Sequence, residues 1–262
     1  MRTRYLGLLC LLVLTTATAP ASAVTPIGTL RCDDATGIPL LNHQTETVRG
    51  IVTLDYYTGT NTRLYIQDAT GGINVYGPPL YCGNLGDDIT VTGVIQAFNG
   101  LTELDSVITV TLNSPGNPQP TPLPLTIAMA NATFQADNCE PNESRLVHLA
   151  NVLIRTTAGA MPPATYTNNI NLHLENNGPD STTNWIVMFV PANGPNCGVD
   201  PMIGQPILKT VCGVVGVLSQ FKSSSPYTSG YEIIPRTTAD VRSGETVPVK
   251  NSTWGELRRL YR

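Results

Sequence analysis

The sequence predicts an all-β protein: two small five-stranded Greek-key barrels in tandem, joined by a Pro-rich linker and followed by a short C-terminal helix. With 23 Gly and 21 Pro among 262 residues, the chain is interrupted too often for long helices. Short runs alternate between apolar and polar residues, which is the period of a half-buried strand. These runs fall into two sets of five, a number typical of small Greek-key barrels.

The N-terminus has the features of an export signal. Arg2 and Arg4 precede an apolar run over residues 5–14, and Ala21-Ser22-Ala23 offers the small-x-small pattern of a cleavage site. We therefore predict a signal peptide over residues 1–23 and a secreted or cell-surface protein; the alternative is a buried N-terminal helix. No other apolar run approaches the roughly 18 residues of a membrane span, so none is predicted in the mature chain.

The first barrel is predicted over residues 24–113. Its strands are expected at 47–57, 63–68, 73–76, 89–98 and 104–112. Alternation in the second and third strands assigns the barrel interior to Leu64, Ile66, Ile73 and Val75. The intervening side chains should then face outward: Arg63, Tyr65, Gln67, Asn74 and Tyr76.

A linker is predicted over residues 114–125, where five prolines occur within residues 114–124 and should keep the segment out of a sheet. The second barrel is expected over residues 126–243, with strands at 146–155, 170–175, 185–190, 208–218 and 231–234. In the tail, residues 244–262, Thr253-Trp254-Gly255-Glu256 reads as a capping box that begins a short amphipathic basic helix. That helix either packs on its own barrel or docks on a surface or self-assembly partner through residues 253–262.

Five cysteines remain once Cys10 is removed with the leader, and export favours pairing them. Each half has one cysteine before its first strand and one before its fourth, which predicts the pairs Cys32–Cys82 and Cys139–Cys197. Cys212 lies in an alternating strand and is expected to be a reduced core residue. A zinc site is the rival interpretation, but the cysteines lack C-x-x-C spacing, so no metal is predicted.

The first half resembles a known module. Three motifs carry the likeness: Val48-x-Gly50-x-Val52, then Ile66-Gln67-Asp68 with Gly71-Gly72-Ile73, and then Gly86-Asp87 with Val91 and Gly93. In this order they are similar to the OB-fold module of secreted bacterial nucleases and exported multi-domain proteins. The likeness covers about residues 37–112 and implies an OB-like barrel. In the second half only the Val211–Val215 strand and the repeated order support a second one.

No catalytic residues or cofactors are predicted. His43, His148 and His173 have no acidic cluster near them in sequence, as a hydrolytic metal site would need. The carboxylate pairs Asp33-Asp34 and Asp87-Asp88 stand in turn contexts, where Asp usually caps backbone amides. The sequence also lacks a G-x-S-x-G nucleophile motif.

OB barrels bind through their second and third strands and the adjoining loops, combining cations with aromatic platforms. The ligand-binding candidates are Tyr57, Arg63, Tyr65 and Tyr76 on the first barrel and Trp185, Phe221, Lys222 and Tyr227 on the second. The alternative is that outward tyrosines only reflect strand propensity. Residues 24–120 carry a net charge of −6 and residues 121–243 one of −2, so the second barrel is the better candidate for a phosphate-bearing ligand.

Two functions remain open from the sequence. The first is a secreted, non-enzymatic binding protein whose ligand is single-stranded nucleic acid or a glycan (an oligosaccharide). The second is a structural or assembly subunit of the cell surface or extracellular matrix, in which the acidic barrels are spacers and the tail a docking peptide.

Overall fold

The computed structural model describes residues 23–58, 61–78, 83–177, 184–191 and 202–244. The predictions for the signal peptide up to residue 22, for Cys82 and Cys197, and for the helix at residues 253–262 lie outside these ranges. Among the described residues, no helix is long and apolar enough to cross a membrane.

The first half is a closed five-stranded barrel. After a 3-10 turn at Ile27–Leu30 come β1 (Thr45–Thr58), β2 (Asn61–Gln67), β3 (Gly72–Gly77), β4 (Asp88–Phe98) and β5 (Leu101–Ser114). The strands follow one another around the barrel in the order β1-β2-β3-β5-β4. Neighbours pair antiparallel except β3 and β5, which pair in parallel.

The alternation in β2 and β3 fills this barrel as predicted. Leu64 pairs with Val75 and Ile66 with Ile73 across the two strands, and all four side chains lie in the barrel core. The turn between them is closed by Asp68, whose Oδ1 accepts hydrogen bonds from the backbone N–H groups of Thr70 (2.7 Å) and Gly71 (2.8 Å). Asp is favoured in turns for this reason.

The second half is also almost entirely β. It contains β6 (Leu123–Leu125), α1 (Ile127–Asn131), β7 (Leu146–Thr156), β8 (Ile170–Asn176), β9 (Trp185–Val190), β10 (Cys212–Gln220), β11 (Tyr231–Ile234), a 3-10 turn at Thr238–Asp240 and β12 (Val241–Ser243). Pairing runs from β7 to β8, β9, β11 and β10, and β10 pairs back to β7. Within this ring of five strands the parallel neighbours are β9 and β11.

Two predicted features of this half are wrong in detail. The run of prolines does join the sheet at its end, because residues 123–125 form β6, which pairs in parallel with Val147–Leu149 of β7. The strand can include Pro124 because β6 lies at the edge of the sheet, where a missing N–H costs no ladder hydrogen bond. The strand expected from residue 208 begins only at Cys212, and Cys212 itself is a buried core residue, as predicted, whose thiol donates to Val152 O at 3.5 Å.

The two halves share a hydrophobic cluster. Its members from the first half are Leu54, Tyr56, Tyr65 and Leu101, and those from the second are Leu146, Val215, Val217 and Ile234. Hydrogen bonds cross the same boundary: the Tyr65 hydroxyl lies 2.9 Å from Ser219 Oγ, and the Leu146 N–H donates to Gln67 Oε1 at 2.8 Å. The halves therefore pack directly on each other.

The predicted disulfide pairing is wrong. Cys32 is bonded to Cys139, across 107 positions of sequence, so neither the Cys32–Cys82 nor the Cys139–Cys197 bond can form. The sequence repeat suggested one bond per half. Instead, the segment before the first barrel runs alongside the segment before β7, and the two cysteines face each other in an isolated antiparallel bridge.

Candidate nucleic-acid interface and ligand cleft

The outer face of β2 and β3, predicted to face outward as a ligand platform, is covered by the second half. Tyr65 and Asn74 are fully buried, and Arg63 and Gln67 are nearly so. Their side chains do leave the interior of the first barrel as the alternation requires. Tyr65 and Gln67 meet the other half, at Ser219 and Leu146, instead of solvent, so Tyr65 cannot serve as a binding platform. Tyr76 stays half-exposed, and the side chain of Tyr57 lies outside the described part of the structure.

Arg63 is held between aromatic rings and polar side chains. Its guanidinium carbon lies 4.8 Å from the ring centre of Tyr76 and 5.1 Å from that of Phe98, within cation–π range. Nη1 lies 3.3 Å from both Asn74 Oδ1 and Glu103 Oε2. Phe98 keeps 46% of its surface exposed, so one of the two rings that contact Arg63 is accessible from solvent.

Burial dominates the electrostatics around Arg63. It raises the pKa of Glu103 to about 7, against the opposing effect of the Arg63 charge. Burial likewise raises the pKa of Glu232, on β11, to about 7, again opposed by Arg63. The pKa of Tyr65 rises to about 12 for the same reason. One buried arginine thus faces two carboxyl groups that are half-protonated near neutral pH.

The loop between β10 and β11 is hydrogen-bonded to the first half through two predicted site residues. The Lys222 N–H donates to Asn99 O at 2.6 Å, and the Tyr227 N–H donates to Thr36 O at 2.7 Å. Phe221, next to Lys222, is 56% exposed.

Gly100 allows the close approach of this loop. A Cβ at this position would lie 2.6 Å from Gln220 Oε1, and its φ of +94° favours glycine. The contact places the Phe98–Gly100 turn beside the start of the loop. We call the surface formed by Tyr76, Phe98, Phe221 and Lys222 the aromatic junction.

Trp185 is in a different place. It begins β9, where it pairs with Glu175 of β8, and its ring stacks on His173 with centroids 3.8 Å apart and planes 7° from parallel. Trp185 is 39% exposed, whereas His173 beneath it is only 8% exposed. A cavity of about 350 Å³ is lined by Trp185, His173 and Glu175 together with Thr157, Ala158 and Gly159. We call this cavity the Trp185 cleft.

Sequence reasoning missed His173 and Glu175 as partners of Trp185. Both alternate with the core residues Leu172 and Leu174, so the pattern alone places them on the outer face of β8. Burial lowers the pKa of His173, and the nearby Glu175 carboxylate only partly offsets this. The cleft therefore combines a neutral stacked ring pair with one carboxylate.

A buried polar cluster lies next to the disulfide. Arg31, from the first half, forms ion pairs with Glu143 and, at 3.8 Å, with Glu140, and the Tyr231 hydroxyl donates to Glu140. Burial and the neighbouring Glu143 raise the pKa of Glu140 well above its usual range. The predicted turn residue Asp33 also belongs here, since it is buried rather than exposed. Its partner in the sequence, Asp34, does cap a turn by accepting from the Thr36 N–H at 2.7 Å.

No group of three His, Cys, Asp or Glu side chains within the described ranges is arranged to hold a metal ion.

Several known proteins match parts of this chain. No protein-family model matches the chain. Endonuclease YhcR of Bacillus subtilis is 36% identical over 109 residues, which is 39% of this chain but only 9% of that protein's length. A crystal structure of asparaginyl-tRNA synthetase from Pyrococcus horikoshii aligns with 33% of this chain and 24% of its own at 17% identity and a TM-score of 0.27. OBody AM1L10, bound to hen egg-white lysozyme, aligns over 38% of this chain and 100% of its own at 12% identity and a TM-score of 0.30. TM-scores of this size are too low to establish a shared fold.

Proposed function

We propose that this is a secreted, non-catalytic protein of two packed OB barrels that binds single-stranded nucleic acid at the aromatic junction. The observation that supports the proposal is the backbone hydrogen bond between Lys222 and Asn99, since the exposed Phe221 and Phe98 each stand next in sequence to one of its partners.

The OB assignment is supported by the pairing order. In the first half the order is β1-β2-β3-β5-β4 with β3 and β5 parallel. In the second half β7, β8, β9, β11 and β10 follow the same cycle, with β9 and β11 parallel. A five-stranded Greek-key barrel with this arrangement is the form an OB fold takes.

Nucleic acid is favoured by the kind of side chains exposed. Aromatic rings next to a cation are the usual platform for single strands, and each stacked base contributes roughly 1–3 kcal/mol. Phe98 and Phe221 offer two such rings, and Lys222 one cation. The relative in Bacillus subtilis is named an endonuclease, which fits a module that works on nucleic acid.

The charge of the chain limits how tightly it binds. With −6 on residues 24–120 and −2 on residues 121–243, few phosphates can be neutralised. Each neutralised phosphate of a single strand contributes a slope of about −0.7 to the dependence of log K on log salt. We therefore expect stacking to dominate and the slope to correspond to about one phosphate contact.

Fluorescence anisotropy of labelled oligo(dT) with the mature chain tests this function. We expect Phe221→Ala to weaken binding at least several-fold and Lys222→Ala to flatten the salt dependence. Ile108→Ala, at a residue that is 61% exposed outside the junction, is the matched control and should bind normally. Absence of binding, or binding that neither junction variant weakens, would reject the proposal. Hydrolysis of the oligonucleotide with magnesium, calcium, manganese or zinc would reject its non-catalytic part.

A structural or assembly role is the second candidate, favoured by the covalent bond between the halves, which suits a stiff spacer. The docking role of residues 253–262 stays a prediction. Deleting residues 244–262 and measuring the mass in solution tests it, because an assembly protein would lose its oligomers.

A further inference from the structure

We propose that the Trp185 cleft is a separate binding site that takes a neutral pyranose ring of an oligosaccharide. The inference goes beyond the aromatic junction, since none of the residues lining the cleft belongs to it.

The stacked pair provides a rigid floor. His173 is buried beneath Trp185 with a centroid distance of 3.8 Å, so the indole is held in one orientation before a ligand arrives. A fixed aromatic face costs little entropy on binding. The exposed side of the indole is flat and apolar, and it suits the flat C–H face of a pyranose, which gains contact area there without needing charge.

The walls supply acceptors for hydroxyl groups. Glu175 is only 8% exposed and lines the cleft beside the ring pair, and Thr157 adds a hydroxyl. An ionised carboxylate accepts strong hydrogen bonds from O–H donors. Gly159 borders the Glu175 carboxyl group, since a Cβ there would lie at an ordinary contact distance of 3.8 Å from Glu175 Oε1.

Charge argues against a nucleotide in this cleft. Among the described residues, its lining contains an acidic side chain, Glu175, and no Lys or Arg. Arg155 pairs with His173 across β7 and β8, but its Nη1 donates to the backbone oxygen of Ile154 at 3.1 Å. Since phosphate binding draws its energy from cations, a neutral sugar fits better than a phosphate-bearing base. The volume of about 350 Å³ lies within the ~300–1,000 Å³ usual for small-ligand sites.

The test is calorimetric titration of the mature chain with cellotetraose, chitotetraose, maltotetraose and xylotetraose, each to about 10 mM so that even millimolar complexes are detected. We expect at least one to bind with little salt dependence. Trp185→Ala should weaken the affinity for this sugar at least tenfold. Trp185→Tyr should weaken the affinity less, and Glu175→Gln should weaken it several-fold. Phe221→Ala should leave it unchanged, and the unfolding temperature of each variant checks that the fold is intact.

Two results would overturn the inference. The first is that none of the four sugars binds, or that the bound sugar ignores both Trp185→Ala and Glu175→Gln. The second is that Trp185→Ala abolishes oligo(dT) binding in the anisotropy assay and that none of the four sugars displaces bound oligo(dT). That result would make the cleft part of the nucleic-acid site. A failure of oligo(dT) binding alone would reject the proposed function and leave the sugar site standing.

Discussion

Buried charge sets the behaviour of single residues in the interface between the two halves. Arg63 and Arg31 each stand among carboxyl groups that outnumber them, and burial raises the pKa of Glu103, Glu232 and Glu140 among these groups. A carboxyl group whose pKa is higher in the folded than in the unfolded chain binds more protons when folded. Its protonation therefore favours folding at low pH, and this advantage is lost as the pH rises.

The first prediction concerns Glu103, whose pKa rises from 4.5 to about 7 on burial. Its contribution to stability should be full below pH 4.5 and disappear as the pH rises through 7, a loss of up to about 3 kcal/mol. Glu103→Gln mimics the protonated side chain and keeps an acceptor for Arg63. We expect the free energy of unfolding of this variant to fall less between pH 5 and 8, measured by urea denaturation at each pH.

The exposed Asp137→Asn variant is the control, and it should follow the wild-type pH profile. Parallel pH profiles for Glu103→Gln and the wild type would mean that the Glu103 carboxyl titrates normally and that the interface around Arg63 is wetter than the structure indicates.

At the scale of elements, β3 is a short strand whose first residue lies against the second half. Its first residue, Gly72, has no room for a side chain, since a Cβ would lie 2.1 Å from the backbone oxygen of Ser144 in the second half. Its last residue, Gly77, faces only Val107 side-chain atoms at an ordinary 3.7 Å. A side chain can therefore be added at the last residue of β3 but not at the first.

The second prediction is that Gly72→Ala destabilises the protein and Gly77→Ala does not. The first change forces two backbones apart, an overpacking that costs about 1–3 kcal/mol. The second leaves ordinary contacts and restricts the unfolded chain, so it should be neutral or slightly stabilising. Thermal unfolding of both variants is the measurement. Equal unfolding temperatures would show that the halves do not touch at Ser144.

At the scale of the whole molecule, several kinds of contact join the halves. They are the shared hydrophobic cluster, the hydrogen bonds from Tyr65 and Leu146, and the Cys32–Cys139 bond. Arg31 adds its ion pair to Glu143, which also accepts a hydrogen bond from the Thr102 N–H at 3.1 Å. Because apolar side chains, hydrogen bonds and an ion pair are buried between the halves, we expect the halves to unfold together rather than separately.

The third prediction is that peptide mapping of unreduced protein finds Cys32 joined to Cys139. The bond closes a separation of 107 residues, for which the chain-entropy model gives a stabilisation of about 4–5 kcal/mol. The Cys32→Ser/Cys139→Ser double variant should lose an amount of that order in denaturant unfolding. A Cys32–Cys82 peptide in the map would restore the pairing expected from the sequence repeat and contradict the arrangement of the halves.

Local patterns in the sequence determined the strands. Alternation is a property of neighbouring residues, so each predicted strand overlaps an observed one, and Leu64, Ile66, Ile73 and Val75 fill the first barrel as expected. The same alternation showed which side chains leave the barrel, but it could not show whether they then reach solvent.

Tertiary structure alone decided the covering of Tyr65, the Cys32–Cys139 bond, the aromatic junction and the stacking of Trp185 on His173. Each of these depends on which surfaces meet between residues far apart in the chain. Such contacts follow from how two finished barrels fit against each other and from strand register, and both depend on the summed packing of many side chains rather than on any short stretch of sequence.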